Sequence, residues 1–426
     1  MGPAKQVKVK AATFDVLRRR DTLWPAWLHV REKARKSTSS ETRVNAQQFA
    51  VHEVRNIERI AEELRTGKFK FAPAKAVLIS KPGKTTKRPV VIAPVESRIV
   101  QRALLDLIQA QPQIAKTLKA GFNFGGVEGP EFGVPAAVKQ AQAIARSKSY
   151  YIRTDIKSFF TQVPRATALD KVLEVISDPA LRKCIKEATD TELADVSRLG
   201  SDVHLFPIHE EGVAQGSCLS PLLCNLLLAD FDEAMNGRGI ACIRYIDDFI
   251  LLADSKRAAN RAFASACRYL QQLGLGVYDP ESSDKEERQK ADCGLITDGF
   301  DFLGCTVRGD LIRPAKKNRD RLRENVQHIF DEALGAMVDP HAAALTRNTY
   351  AEAIRAAGLV IRGWGNTHSF CTDSQIMKAE DGNLGKLFDD FNNGTKQRVA
   401  KLGGADKRRV LGLFLLQDCN VDAALK

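Results

Sequence analysis

The chain has 426 residues, 44% of them hydrophobic and 27% charged. That composition excludes a wholly disordered or collagen-like protein and leaves room for two or three domains. Its 64 Lys and Arg against 52 Asp and Glu give a net charge of +12, a surplus that suits a polyanionic partner, although a merely basic soluble protein has the same balance. The nine cysteines are odd in number and contain no C-x-x-C pair. They read as reduced, buried small hydrophobes of a cytoplasmic protein, not as a disulfide frame or zinc site. The charged start MGPAKQVKVK lacks the apolar core of a secretory signal. The longest apolar stretch, Leu219 to Phe231, is interrupted by Pro221, Asn225 and Asp230, so no membrane span is expected.

In chain order, residues 1–74 read as a polar, helical N-terminal extension. Within it, 44–65 carries Phe49, Val51, Val54, Ile57, Ile60 and Leu64 at near-helical spacing, with Gly67 as the stop. Ala76–Ile79 and Pro89–Ile92 read as the strands of a hairpin around a Lys81-Pro82-Gly83-Lys84 turn. From Arg65 to Arg102 there are ten basic residues and one acid, Glu96. Ser97–Leu107 is an amphipathic helix. Residues 121–133 (GFNFGGVEGPEFG) are a loop whose aromatics either stack on bases or pack, and a helix follows to Ala145. Tyr150–Thr154 is a strand running into Asp155, residues 165–200 are helical, and His204–Ile208 is a candidate strand. Ser220 before Pro221 marks a helix start with Ser as N-cap, and the helix runs to Phe231. Residues 241–253 (ACIRYIDDFILLA) read as strand, tight turn, strand. Residues 256–273 are helical, 278–298 a charged loop or insertion, Phe300–Val307 a strand, and everything from Pro314 onward helical.

The chemistry concentrates in acids. Asp247 and Asp248 are adjacent and lie between two apolar strands. Burying that pair uncompensated is costly, whereas a hard cation such as Mg²⁺ takes carboxylate oxygens and cancels their charge. An ordinary polar turn is the alternative. Asp155, 92 positions earlier, ends its own strand and is either a helix cap or a third ligand. Three such acids on neighbouring strands could hold two metals for an in-line phosphoryl displacement.

Asp155 with Phe159-Phe160, Gln215-Gly216-Ser217 with Ser220-Pro221, and Tyr245-Ile246-Asp247-Asp248 stand in the order of three palm motifs and resemble those of reverse transcriptases. Phe302-Leu303-Gly304 is similar to that family's later strand motif. The 81–84 turn with Lys87-Arg88-Pro89, and Ser97–Gln101, resemble its fingers. Ile361-Arg362-Gly363-Trp364 is similar to the thumb of the group II intron type.

The resemblance implies an α+β right-hand polymerase fold: a 1–74 extension, fingers and palm at 75–306, and a helical thumb and C-terminal segment at 307–426. It implies metal binding and catalysis by Asp155, Asp247 and Asp248, with two Mg²⁺ ions or Mn²⁺ in their place. Lys81 and Arg88 should meet the incoming dNTP triphosphate, Phe160 should stack under the sugar and exclude ribonucleotides, Gln215 should lie along the nucleotide, and Tyr245 should support the primer end. Plain packing for Phe160 and solvated hairpin charges for Lys81 and Arg88 are the alternatives. Lys285 is the candidate for the family's lysine near the triphosphate. Basic residues from Arg308 to Arg323 are a candidate phosphate track for an RNA–DNA hybrid, with a solvated helix face as the alternative.

The implied function is RNA-directed DNA synthesis on a dedicated noncoding RNA, in the manner of stand-alone bacterial reverse transcriptases, many of them associated with phage defence. No zinc-bearing endonuclease segment, Val-Thr-Gly thumb motif or RNase H segment is found in the sequence. The rivals are a maturase-like structured-RNA-binding protein and a template-independent or protein-primed polymerase. Template identity, primer and oligomeric state are not written in the sequence.

Overall fold

The computed structural model describes residues 12–80, 87–207, 211–236, 239–416 and 418. Packing divides the chain into two units, Met1–Leu295 and Ile296–Lys426.

The first unit opens with helices Phe14–Leu17, Arg20–Arg35, Ser40–Val51 and Glu53–Arg65. The single helix expected over 44–65 is broken at His52 (φ −129°, ψ 39°). Each half lays its own apolar stripe inward: Phe49, Ile57, Ile60 and Leu64 are buried, while Val51 and Val54, at the bend, are exposed. Gly67 (φ 70°) ends the second half as expected, with the Lys68 N–H donating to Glu63 O at 2.8 Å, a left-handed cap that glycine adopts without steric cost. Strands β1 (Ala74–Ser80) and β2 (Lys87–Ile92) pair antiparallel, Lys75 opposite Ile92 and Ser80 opposite Lys87. The Lys81–Lys84 turn lies outside the described residues. Helix Val95–Gln109 then packs against Arg20–Arg35.

Strand β3 (Tyr150–Asp155) leads to helices Phe159–Gln162, Arg165–Leu173 and Pro179–Thr189, then to β4 (Leu193–Ala194), which joins β1 in parallel. The range 165–200, expected to be helical, therefore holds two helices, Arg165–Leu173 and Pro179–Thr189, followed by β4 and the start of a 3₁₀ segment. The strand expected at His204–Ile208 is instead the end of a 3₁₀ segment, Val196–Leu205, and Ile208 falls outside the described residues. Ser220 does not cap its helix. Leu219 is the N-cap, and the Ser220 hydroxyl donates to Ala214 O at 2.7 Å, so the residue anchors the preceding loop. The helix expected to reach Phe231 breaks at Leu228 into Ser220–Leu227 and Ala229–Met235.

Strands β5 (Ala241–Tyr245) and β6 (Asp248–Ala253) form the expected hairpin, and helix Lys256–Gln272 follows. The segment expected as a loop at 278–298 contains helix Lys285–Lys290 and β7 (Asp292–Leu295), which completes an antiparallel sheet of order β5-β6-β3-β7. β6 is buried from Phe249 through Ala253, which explains its continuous apolar run, since a strand covered on both faces has no reason to alternate. Ala259, Ala262 and Ala266 bring Lys256–Gln272 close against β3 and β6. Phe249 meets Phe231 edge-on at 5.5 Å. The N-terminal helices share this core.

The second unit begins with β8 (Phe300–Phe302), β9 (Cys305–Arg308) and β10 (Leu311–Pro314), an antiparallel meander. The single strand expected over 300–307 thus turns at Leu303-Gly304. Helices Lys316–Ala336, Pro340–Leu345, Tyr350–Thr367, Ser374–Val399 and Gly404–Leu411 follow. Their core holds Phe391 stacked on Phe330 at 4.4 Å and on Tyr350 at 5.4 Å. Of the expected basic track, Arg319 and Arg323 donate to Glu380, while Lys317 and Arg321 are exposed.

Phe249 is fully buried one residue from the acidic turn. Phe249→Ala should cost about 3–5 kcal/mol through lost burial and the cavity left behind, read as a lowered denaturant midpoint.

Candidate active site at the acidic turn

The register of β3 against β6 sets Asp155 directly opposite Asp248, and the Ile156 N–H donates to Asp247 O at 3.1 Å. Residues far apart in the chain therefore meet at one sheet end. Within the β5–β6 hairpin Tyr245 faces Asp248, and the turn between them forces Ile246 to φ 62°, a costly conformation for a β-branched residue, on the order of 1–3 kcal/mol.

Asp155 is 9% exposed. Its Oδ2 accepts from the Lys290 ammonium at 2.7 Å, and its Oδ1 is buried without a hydrogen-bond partner. Burial, then the charges of Asp155 and Asp248, push the Asp247 carboxyl up to about 7. Burial and Asp155 push Asp248 up to about 6. Among the described residues no three His, Cys, Asp or Glu side chains are already gathered into a metal cage. The donor set nonetheless fits a hard divalent cation. It is all carboxylate, it has one orphaned buried oxygen, and burial together with the neighbouring carboxylates holds back its ionisation.

Lys290 is the residue that sequence reasoning missed. Lys285 was the expected lysine. The residue that reaches Asp155 is Lys290, at the end of a helix that docks over β3. Burial works against its charge, but the Asp155 hydrogen bond and carboxylate outweigh it and raise its pKa. Its ammonium also lies 5.6 Å from the Tyr278 ring, and that of Lys157 lies 5.3 Å from the same ring. Lys157 pairs with Glu287, and the Thr154 hydroxyl donates to Tyr278 O at 2.7 Å. The only sequence signal was a basic residue just before a short strand, inside a stretch whose charge reads as solvated loop.

The other expected residues are spread around this end. Phe160 is half-buried, edge-on to Phe159 at 6.0 Å, and its carbonyl accepts from Val213 N–H at 2.7 Å. Gln215 O accepts from the Val91 N–H at 2.7 Å. Beside it Gly216 has φ 118°, and a Cβ there would lie 2.4 Å from Val91 O, so glycine is required for the loop to lie on β2. Arg88 is exposed on β2 opposite Ile79. Tyr245 is half-buried, and burial pushes its phenol up. Lys81 lies outside the described residues. In the Gly-rich loop, Phe124 is buried and its N–H donates to Arg244 O at 2.9 Å. That aromatic packs and is not offered to bases.

An antiparallel sheet presenting buried acids at one end and flanked by helices is the arrangement expected of a right-hand polymerase palm. The family model "Reverse transcriptase (RNA-dependent DNA polymerase)" matches residues 79–307, more than half of the chain, and the chain belongs to that family. By family it is an RNA-directed DNA polymerase with a right-hand fold.

It is 27% identical over 289 residues to Protein YkfC of Escherichia coli, 58% of this chain and 70% of that one. It is 25% identical over 178 residues to a 91 kDa protein in the cob intron of Schizosaccharomyces pombe, 42% of this chain and 20% of that one. It is 27% identical over 146 residues to the Retron Mx65 reverse transcriptase of Myxococcus xanthus, 33% of this chain and 34% of that one. The chain thus spans a fifth of the intron protein and a third of the retron enzyme. Among the described residues no helix is long and apolar enough to cross a membrane.

The two raised carboxyls have a pH signature in metal-free protein. Both titrate above the unfolded value of about 4, so between about pH 4 and 7 the folded state holds more protons, and stability falls as pH rises through that window. Thermal midpoints measured from about pH 5 to pH 8 should drop more steeply for the wild type than for Asp247→Asn. Mg²⁺ added at the upper end should recover the difference.

Proposed function

We propose that the chain extends a nucleic-acid primer with dNTPs on an RNA template, with Asp155, Asp247 and Asp248 as metal-binding catalytic residues. Fingers and palm fall within 75–306, the thumb within 307–426, and residues 1–74 form an extension. The observation that carries the reading is the cross-strand placement of Asp155 against Asp248, with an orphaned carboxylate oxygen in a buried cluster of three acids.

Two divalent ions held there supply Lewis acidity and neutralise charge on the attacking and leaving oxygens. The chain's own residues do the rest. Lys290 neutralises Asp155 in the absence of substrate and turns toward the triphosphate when it binds. Arg88 and Lys81 meet the triphosphate from the hairpin. Phe160, on the helix that follows Asp155, limits the sugar. Gln215 lines the nucleotide and Tyr245 steadies the primer end.

The template is a dedicated noncoding RNA and the setting bacterial phage defence. This finer reading is supported by the resemblance to stand-alone enzymes and by the retron relative. The product is DNA paired to that RNA.

Asp247→Ala and Asp155→Ala should lower primer extension by roughly three orders of magnitude or more, the scale of several kcal/mol of transition-state charge stabilisation, with circular dichroism unchanged. Product sequence complementary to co-purified RNA is the expected result. Random or homopolymeric product would replace the reading with untemplated synthesis. Activity lost only in RNA folding, with synthesis absent in the wild type, would replace it with a maturase.

Phe160→Ala should raise ribonucleotide use relative to dNTP use by roughly tenfold or more in single-nucleotide incorporation, because only the steric term against the 2′-hydroxyl is removed.

A further inference from the structure

Ile246 carries the backbone into the acidic turn at φ 62°, and both of its peptide groups are held by buried side chains. Its carbonyl accepts from Arg244 Nη1 at 2.9 Å, and its N–H donates to Asn123 Oδ1 at 3.3 Å. Arg244 is fully buried, and each nitrogen of its guanidinium donates at least one hydrogen bond. Nε and Nη2 donate to the two oxygens of Asp232 at 2.7 and 2.5 Å, and Nη1 also donates to Asn225 Oδ1 at 3.1 Å. Asn225 Nδ2 in turn donates to Gly125 O at 2.8 Å. Asn123 closes the ring, donating from Nδ2 to Gly125 O at 2.9 Å and accepting from the Gly125 N–H at 3.2 Å.

The backbone repeats the tie, since Arg244 N–H donates to Phe122 O and Phe124 N–H to Arg244 O, both at 2.9 Å. Gly125 lies flush under the turn: a Cβ there would stand 2.7 Å from Ile246 Cγ1.

A buried ion pair is a poor device for stability alone, because its desolvation offsets its attraction, and an apolar pair of like volume does as well or better. Here the pair instead ends on the one strained peptide that orients Asp247 and Asp248. We infer that Arg244, Asp232, Asn225 and Asn123 are positioning residues. Through the peptide groups of Ile246 they hold the acidic turn in its left-handed conformation, and so set the divalent-cation affinity of the proposed active site. The inference deepens the polymerase reading and rests on it.

The test separates positioning from packing. Arg244→Met with Asp232→Leu removes the buried charges at similar volume, and Asn123→Ala removes the other hold while leaving the ion pair. Mn²⁺ binding is read directly from the loss of the free-ion electron paramagnetic resonance signal, and the Mg²⁺ dependence of primer extension is read alongside.

Cooperative unfolding should be kept and Mn²⁺ dissociation constants should rise roughly tenfold to a hundredfold, the scale seen when groups behind metal ligands are removed. The half-saturating Mg²⁺ concentration should rise in parallel. Ile246→Gly, which needs no force to stay left-handed, should make the Asn123→Ala loss smaller than in the wild-type background. If the paired replacement fails to fold, Asn123→Ala and its combination with Ile246→Gly decide the matter. Folded variants with Mn²⁺ affinity within twofold of wild type would overturn the inference. A wild type that binds no Mn²⁺ and extends no primer would overturn the polymerase reading itself.

Discussion

Everything at the candidate site depends on one cross-strand register, β3 against β6, which brings Asp155 opposite Asp248 and Asp247 beside both. Pairing is specified by what lies on either side. Ile152, Phe249 and Leu251 are fully buried, and a slip of one residue would exchange side chains of different size between two tightly packed faces. The apolar sheet thereby forces like charges together in a place that solvates them poorly. The cost is visible in the carboxyls of Asp247 and Asp248, held to about 7 and about 6, and in the ammonium of Lys290 drawn onto Asp155. A site of this kind gains from any cation that enters it, which is what phosphoryl transfer on a polyanion needs.

The rest of the first unit serves that geometry. The loop carrying Gln215 is pinned to β2 by Val91 and anchored by the Ser220 hydroxyl, so the β1–β2 hairpin and helix Ser220–Leu227 are coupled through a few hydrogen bonds. The Gly-rich loop lies under the acidic turn, where its small residues allow backbone to meet backbone. Arg102, on helix Val95–Gln109, pairs with Glu128 at the far end of that loop and contacts His29 of the N-terminal helices. The N-terminal helices are thus built into the same core as the β5-β6-β3-β7 sheet instead of being appended to it.

Much of this was legible in the residues. The β5–β6 hairpin, β3 ending at Asp155, the fingers strands and the helical character of the C-terminal part all follow from apolar runs and turn residues, signals that act over a few positions. What failed had competing local and distant causes. The continuous stripe over 44–65 matched a helix, yet packing both halves required a bend at His52. The charge of 278–298 suggested solvent, yet β7 found an open sheet edge on β3 and Lys290 an unpaired acid. Ser220 looked like a cap because Ser before Pro usually is one, but its hydroxyl was claimed by Ala214 O.

The sequence by itself determined the order of the motifs and marked the acids, glycines and aromatics that are candidates for chemistry, because those residue types cluster at short, fixed spacings. Only the tertiary structure decided that Lys290 is the cation on Asp155, that Phe124 packs, and that Arg244, Asp232, Asn225 and Asn123 close around Ile246. Those partnerships join residues up to 135 positions apart, and nothing in a local pattern records them. They exist because a buried charge or strained peptide takes whichever partner the folded chain brings within reach.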